Sequence, residues 1–96
     1  MFLQKYVSKF YYNQILDNYK KEYLELLDEQ TFLKIYKLFV EYKFYFMEDI
    51  ILKYLEIFEM DYNIVKEKIE LLKNKLGNNF VYIIGNNMNY LDEILD

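Results

Sequence analysis

The chain has 96 residues, of which 54% are hydrophobic and 21% aromatic, and its net charge is −4. It contains no His, Cys, Arg, Trp, Pro or Ala, and Ser8 and Thr31 are its only aliphatic hydroxyl residues. We therefore expect one domain spanning residues 1–96, without disulfides, thiolate or imidazole metal sites, or His-activated nucleophiles.

Apolar residues recur at helical spacing from the start of the chain. Four of them within residues 3–10 lie at i, i+3, i+4 and i+7, which predicts one face of a helix. Residues 12–27 continue with the same period. Because Asn13 is a weak break between these two stretches, residues 3–27 are expected to form either one long helix or two. Asp28 then predicts the N-cap of a helix whose apolar side extends over residues 32–40.

The middle of the chain contains one predicted loop between two further helices. Residues 43–46 are expected to form the loop, and residues 47–58 a helix with apolar residues at helical spacing. Asp61 or Asn63 is expected to cap the next helix, whose apolar positions continue to Leu76. The apolar positions of this helix form a narrow stripe, and lysines and glutamates occupy the rest of its surface.

Glycine and asparagine divide the last twenty residues into short segments. Gly77 stands where a helix ends with a left-handed residue. Residues 80–84 form an apolar segment that we expect Gly85 to end. Either Asn87 or Asn89 is then expected to begin a final helix.

The predicted fold is a compact all-α domain of five or six short helices. An α+β alternative remains open, because residues 42–46 and 80–84 are rich in aromatic and β-branched residues and could pair as a two-stranded ribbon. An internal repeat favours helices. At a constant offset of 34 residues, apolar positions correspond: Ile35, Leu38, Phe46, Ile50 and Tyr54 match Ile69, Leu72, Phe80, Ile84 and Met88.

Residues 39–95 resemble the helical repeats of the mitochondrial transcription termination factor family. The resemblance rests on the pairs Ile50-Ile51, Leu71-Leu72, Leu76-Gly77 and Ile83-Ile84. It implies an all-helical solenoid that binds nucleic acid along a basic concave face. The chain departs from the family in its negative charge, in having only about two repeats, and in lacking a proline near Asn87 and Met88.

The carboxylates do not show the spacing of a metal site or of a catalytic pair. Asp61, Tyr62 and Asn63 are similar to the start of a calcium loop, but the sixth position is Lys66 and the twelfth is Leu72 instead of Gly and Glu. The acids therefore indicate helix caps and solvated helix faces. We expect no metal, no cofactor and no enzymatic activity.

Tyr and Phe side chains in adjacent positions cannot all face the core, so some are expected to contact a partner. The candidate partner-binding residues are the aromatic Tyr11, Tyr12, Phe44 and Tyr45 and the acidic Glu48, Asp49, Glu56, Glu59 and Asp61. Acidic helices with aromatic residues between them predict binding to a partner protein with a basic surface that handles nucleic acid. Size and composition resemble those of small phage and mobile-element proteins, such as anti-CRISPR inhibitors.

Two alternatives concern other partners. Lysines and tyrosines alternate within residues 5–23, a composition that also suits single-stranded nucleic acid. The other alternative is a homodimer, in which two copies of the chain bury the excess aromatic surface against each other. The longest uncharged stretch, residues 76–91, is short and rich in Asn and Gly, so we expect no membrane span. The lack of cysteine fits a cytoplasmic protein.

Overall fold

The computed structural model describes residues 1–96 and contains seven α-helices, three short 3-10 helices and no strand. The α-helices are α1 (Lys9–Asn18), α2 (Lys21–Glu25), α3 (Glu29–Glu41), α4 (Met47–Lys53), α5 (Tyr62–Leu76), α6 (Phe80–Asn86) and α7 (Asp92–Leu95). The 3-10 helices are Phe2–Lys5, Leu55–Glu59 and Met88–Leu91. The predicted all-α class is confirmed.

The two-stranded ribbon is wrong. Residues 42–46 form a turn and an extended loop, and residues 80–84 lie within α6. The two segments do contact each other, but through rings: Phe80 packs edge-on against Tyr42 at 6.1 Å and against Phe44 at 6.0 Å between ring centroids. The aromatic composition that suggested cross-strand pairs therefore reflects packing of a loop on a helix.

Two predicted helix starts and one predicted helix end are confirmed by side-chain and backbone geometry. Asp28 accepts the backbone N–H of Thr31, and Asp61 accepts those of Asn63 and Ile64. Gly77 ends α5 with φ of 87°, a value that favours glycine.

Residues 85–89 settle two further predictions. Gly85 does not end the helix it was expected to end, because it lies inside α6, one residue before its last. Of the two asparagines expected to begin the final helix, Asn87 is the cap, since its side chain accepts the N–H of Asn89.

The chain breaks helices at more places than the sequence pattern predicted. Residues 3–10 divide between a 3-10 helix and the start of α1, and Asn13 lies inside α1 without breaking it. The break falls instead at Tyr19 and Lys20, which both have extended backbones between α1 and α2. The predicted helix over residues 47–58 is interrupted at Tyr54, where the chain changes to a 3-10 helix. Only the break at Tyr19 and Lys20 adds an α-helix, and the structure has seven α-helices where five or six helices were predicted; the other two breaks separate 3-10 helices from α-helices.

The core consists of 23 buried residues, all of them hydrophobic. Its centre lies between α3 and the 3-10 helix Leu55–Glu59, where the ring of Phe58 packs against Phe32 at 4.8 Å and Phe39 at 5.7 Å. No charged side chain is buried. No helix combines the length and the apolar character that crossing a membrane would require.

The offset of 34 residues relates secondary structure as well as sequence. We call residues 29–59 the first unit and residues 62–91 the second unit. Each contains a long helix, a short helix and a 3-10 helix in the same order. Lys43 and Gly77, the only residues with positive φ, also stand 34 positions apart, each in the turn after the long helix.

Candidate functional site

Four tyrosine hydroxyls donate hydrogen bonds to carboxylates that are distant in sequence. The pairs are Tyr6 with Glu29 (3.3 Å), Tyr11 with Asp49 (2.9 Å), Tyr23 with Glu59, and Tyr42 with Glu70. Each pair joins two different elements of the fold. We call them the phenol–carboxylate pairs. Four of the twelve tyrosines and four of the sixteen acids therefore connect separate parts of the chain.

The surroundings of Tyr11 and Tyr42, which belong to these pairs, and of Tyr54, which does not, disfavour the charged phenolate. Burial, followed by the hydrogen bond to Glu70, raises the pKa of Tyr42 to about 12. The hydrogen bond to Asp49 raises the pKa of Tyr11 above its ordinary value. Burial and the neighbouring Asp92 raise the pKa of Tyr54 to about 12. These side chains are neutral donors across the physiological range.

A groove of about 550 Å³ lies where α1, α3 and the loop before α4 meet. It is lined by Tyr6, Tyr11, Tyr36, Tyr45, Phe46, Met47, Glu48 and Asp49. We call it the tyrosine groove. Four phenol rings and two carboxylates face the same space, and no lysine lines it. The groove is therefore aromatic and negatively charged.

Hydrogen bonds from the N-terminal region hold the two carboxylates of the groove. Glu48 Oε2 accepts the backbone N–H of Ser8 at 2.6 Å, and Asp49 Oδ1 accepts the hydroxyl of Tyr11 at 2.9 Å. The other oxygen of each carboxylate, Glu48 Oε1 and Asp49 Oδ2, accepts no hydrogen bond within the chain. Each carboxylate is thus oriented by one oxygen and has the second available to a ligand.

Two exposed aromatic side chains lie at this surface. Tyr45 is 68% exposed, and its ring packs edge-on against Phe46 at 5.0 Å. Its hydroxyl lies over α6, where a Cβ added to Gly85 would be 2.8 Å away. Phe10 is 67% exposed and packs edge-on against Tyr11. Large exposed rings beside a groove are typical of protein interfaces.

Four of the nine candidate residues predicted from the sequence come together here. Tyr11, Tyr45, Glu48 and Asp49 all line the tyrosine groove. Phe44 is not an exposed anchor, because it is 4% exposed and packs against the core. The loop residues alternate in direction, so Phe44 points inward and Tyr45 outward.

The other four candidates lie outside the lining of the groove. Tyr12 is half-buried beside a separate depression that includes Lys9. Glu56 is exposed, Glu59 accepts the hydroxyl of Tyr23, and Asp61 caps α5. No group of three or more carboxylates is arranged to hold a metal ion.

Sequence reasoning missed two tyrosines of the groove. Tyr6 and Tyr36 occupy apolar positions of their helical patterns, and Tyr6 was considered only among the tyrosines of residues 5–23. In the structure both are half-buried, with ring centroids 5.1 Å apart and planes inclined by 58°. Helical periodicity placed Tyr6 and Tyr36 on the apolar faces of their segments. The partial exposure of these faces follows from how the segments pack together, which periodicity does not show.

Several lysines and tyrosines of residues 5–23 are bonded to other parts of the chain. Tyr6, Tyr11, Tyr19 and Tyr23 all donate their hydroxyls to acceptors within the chain. Lys5 pairs with Glu29 at 3.1 Å and Lys21 with Glu25 at 4.0 Å. Two of the four lysines and four of the five tyrosines of this region thus have partners within the chain.

A second, more polar cleft of about 650 Å³ lies beside the tyrosine groove and shares Asp49 with it. Its other lining residues include Asn86, Asn87, Asn89 and Asp92. It contains no cluster of exposed rings, so it lacks the combination of aromatic surface and charge that marks the groove.

Comparisons with known proteins leave the function to be argued from this geometry. No protein-family model matches the chain, and neither the curated proteins nor the solved structures gave a match.

Proposed function

We propose that the chain is a non-catalytic binding protein that docks on the basic surface of a partner protein through the tyrosine groove. The observation that supports this most strongly is the joint presence of exposed rings and oriented carboxylates with no lysine in the lining. Tyrosine supplies large contact area at low conformational cost, and acidic groups accelerate encounter with a basic partner.

The composition supports a particular kind of partner. Proteins that handle nucleic acid have basic surfaces, since they neutralise phosphates. A small acidic protein with aromatic side chains at its surface is suited to occupy such a surface and to compete with nucleic acid for it. The proposed role is therefore that of an inhibitor or regulator, as in the small phage and mobile-element proteins whose profile the sequence resembles.

The proposal is tested by adding a positive charge to the groove at one exposed position. Tyr45→Lys adds a cation at the groove, and Leu26→Lys adds the same cation at a residue that is 83% exposed but outside the groove lining. The tagged variants are used to capture proteins from an extract of the source organism, and the captured protein is purified and its binding measured against salt.

We expect a basic partner whose binding weakens with rising salt, is lost in Tyr45→Lys and is retained in Leu26→Lys. Helical circular dichroism of both variants verifies that they fold. Binding that does not depend on Tyr45, or that does not change with salt, would contradict the proposal. Sedimentation of the pure chain completes the test, because a dimer abolished by Tyr45→Lys would assign the groove to a second copy.

A second candidate is nucleic-acid binding by the two units, as the resemblance to termination-factor repeats implies. The 34-residue offset that relates their helices and their two positive-φ turns favours it. Lys34 and Lys37 on α3 and Lys66 and Lys73 on α5 form no ion pair within the chain. Titration with labelled single- and double-stranded oligonucleotides tests this, and absence of binding at physiological salt would reject it.

A further inference from the structure

We propose that the tyrosine groove receives a single arginine side chain of the partner. This inference rests on the proposed function, since it names the group that the groove recognises. It follows from the directions of the rings, the two available carboxylate oxygens, the size of the groove and the composition of the chain itself.

The lining of the groove contains two pairs of rings that are inclined to one another. Tyr6 and Tyr36 lie 5.1 Å apart and are inclined by 58°, and Tyr45 stands at 82° to Phe46. Inclined aromatic faces around a common space attract a cation through their negative ring faces. A guanidinium is planar and weakly hydrated, so it stacks on such a face at less desolvation cost than an ammonium.

The carboxylates supply acceptors for the edge of the same guanidinium. Glu48 Oε1 and Asp49 Oδ2 accept nothing within the chain, while Ser8 and Tyr11 hold the opposite oxygens. A guanidinium has five N–H donors in one plane and can bond two acceptors while its face rests on a ring. An ammonium can satisfy the acceptors but offers no face for stacking.

The size and charge of the groove agree with one long side chain. Its volume of about 550 Å³ accommodates one arginine side chain with part of its backbone. The lining contains two acids and no base, so the charge of the groove is not neutralised locally.

The composition of the chain argues for a different protein as the source of the arginine. The chain contains no arginine, so a second copy of it cannot provide the ligand. This separates the proposal from homodimer formation, in which only lysine would be available as a cation.

The test uses three short peptides that differ in one side chain. N-acetyl-Gly-X-Gly-amide is prepared with X as arginine, as citrulline, the neutral analogue of nearly the same shape, and as lysine. Each is titrated into the whole chain at millimolar concentrations, and binding is followed by NMR of the tyrosine rings and backbone amides.

We expect the arginine peptide to shift resonances of the groove residues and to bind at least about tenfold more tightly than the citrulline peptide. The lysine peptide is expected to bind between the two. Asp49→Asn retains an oxygen that accepts from Tyr11 but removes the charge, so it should weaken the arginine peptide several-fold. The matched control Glu67→Gln, at an exposed position on α5 without hydrogen bonds, should leave binding unchanged.

Equal binding of arginine and citrulline peptides, shifts that map outside the groove, or no shift at all would overturn the inference. Its failure is distinguishable from failure of the proposed function. If a basic partner still binds in a Tyr45-dependent manner while the arginine peptide does not, only the arginine assignment is wrong. If partner binding does not depend on Tyr45, both are wrong.

Discussion

The first and second units share an order of helices but differ in what covers them. Two buried rings of the first unit correspond, at the 34-residue offset, to exposed lysines of the second unit, Phe32 to Lys66 and Phe39 to Lys73, and buried Phe58 corresponds to exposed Asp92, which directly follows the second unit. The N-terminal region provides the cover at Phe32, because the rings of Phe2 and Tyr6 pack on it at 5.4 and 4.9 Å.

The same order of helices is therefore compatible with a long helix that is covered by a neighbouring segment and with one that is exposed at the matching positions. Where a neighbouring segment covers the long helix, the sequence places large rings there. Where solvent covers it, the sequence places lysine and aspartate, as expected for the outer face of a terminal repeat. The shared positions, such as Ile50 and Ile84, are buried in both units.

The largest expected effect comes from truncating a corresponding pair of residues. Phe32→Ala removes a ring from the centre of the core and should lower the free energy of unfolding by about 3–5 kcal/mol. Lys66→Ala, at the matching position of the second unit, should change it by less than about 0.5 kcal/mol. Urea unfolding followed by circular dichroism measures both. Similar losses in the two variants would mean that the second unit is also covered.

The two positive-φ turns should respond in opposite directions. Gly77 has φ of 87° and ψ of −168°, a region open essentially to glycine alone, and a Cβ there would meet no atom within 4 Å. Gly77→Ala should therefore cost about 1–3 kcal/mol through backbone strain alone.

Lys43 is the matched position in the first unit, with φ of 72°. The N–H groups of Lys43 and Phe44 donate to the carbonyls of Val40 and Phe39, the pattern in which a left-handed residue, usually glycine, ends a helix. Lys43→Gly should therefore raise the free energy of unfolding, by less than about 1 kcal/mol. Destabilisation by Lys43→Gly in the same urea experiment would contradict this.

A smaller effect is expected from the phenol–carboxylate pair that joins the two units. Tyr42 lies in the turn of the first unit and donates to Glu70 on α5 of the second. Tyr42→Phe removes the donor and should cost about 1 kcal/mol at neutral pH, because the pair is half-exposed.

The pH dependence of the same pair has a definite sign. The pKa of Tyr42 is raised from 10.0 to about 12 in the folded chain. Its contribution to stability is therefore complete below pH 10 and is lost as the pH rises toward about 12. Unfolding measured across this range should show a decline that is shallower in Tyr42→Phe. A decline of the same steepness in the variant would show that other tyrosines account for all of it.

The sequence was sufficient for features that depend on neighbouring residues. Asp28 and Asp61 cap helices because a carboxylate two or three residues before a free N–H accepts it in any context. Helical periodicity likewise predicted the buried stripe of α5. The offset of 34 residues placed the second unit correctly because it depends only on spacing along the chain.

Features that depend on distant contacts could not be obtained in this way. Gly85 is a packing glycine inside α6 and not a helix end, since the hydroxyl of Tyr45 and the ring of Phe46 occupy the space that a side chain would need. Burial of Phe44 and partial exposure of Tyr36 depend on which element covers each face. Four of the eight residues that line the groove were predicted from the sequence, as aromatic or acidic residues expected at the surface. Tyr6 and Tyr36 were missed because helical periodicity shows which face of a helix a residue is on, but not which element packs against that face.

The phenol–carboxylate pairs give the chain an optical property of its own. A phenol that donates a hydrogen bond to an ionised carboxylate remains neutral, and its near-ultraviolet absorption lies at a slightly longer wavelength than that of a phenol donating to water. The chain contains no tryptophan to mask these bands. Because each pair joins separate elements, loss of the shifted absorption reports separation of those elements. Tyr-to-Phe variants, each removing one pair, would assign the absorption change of each pair. Absorption measured during unfolding would then give the order in which the paired elements separate, without an added label.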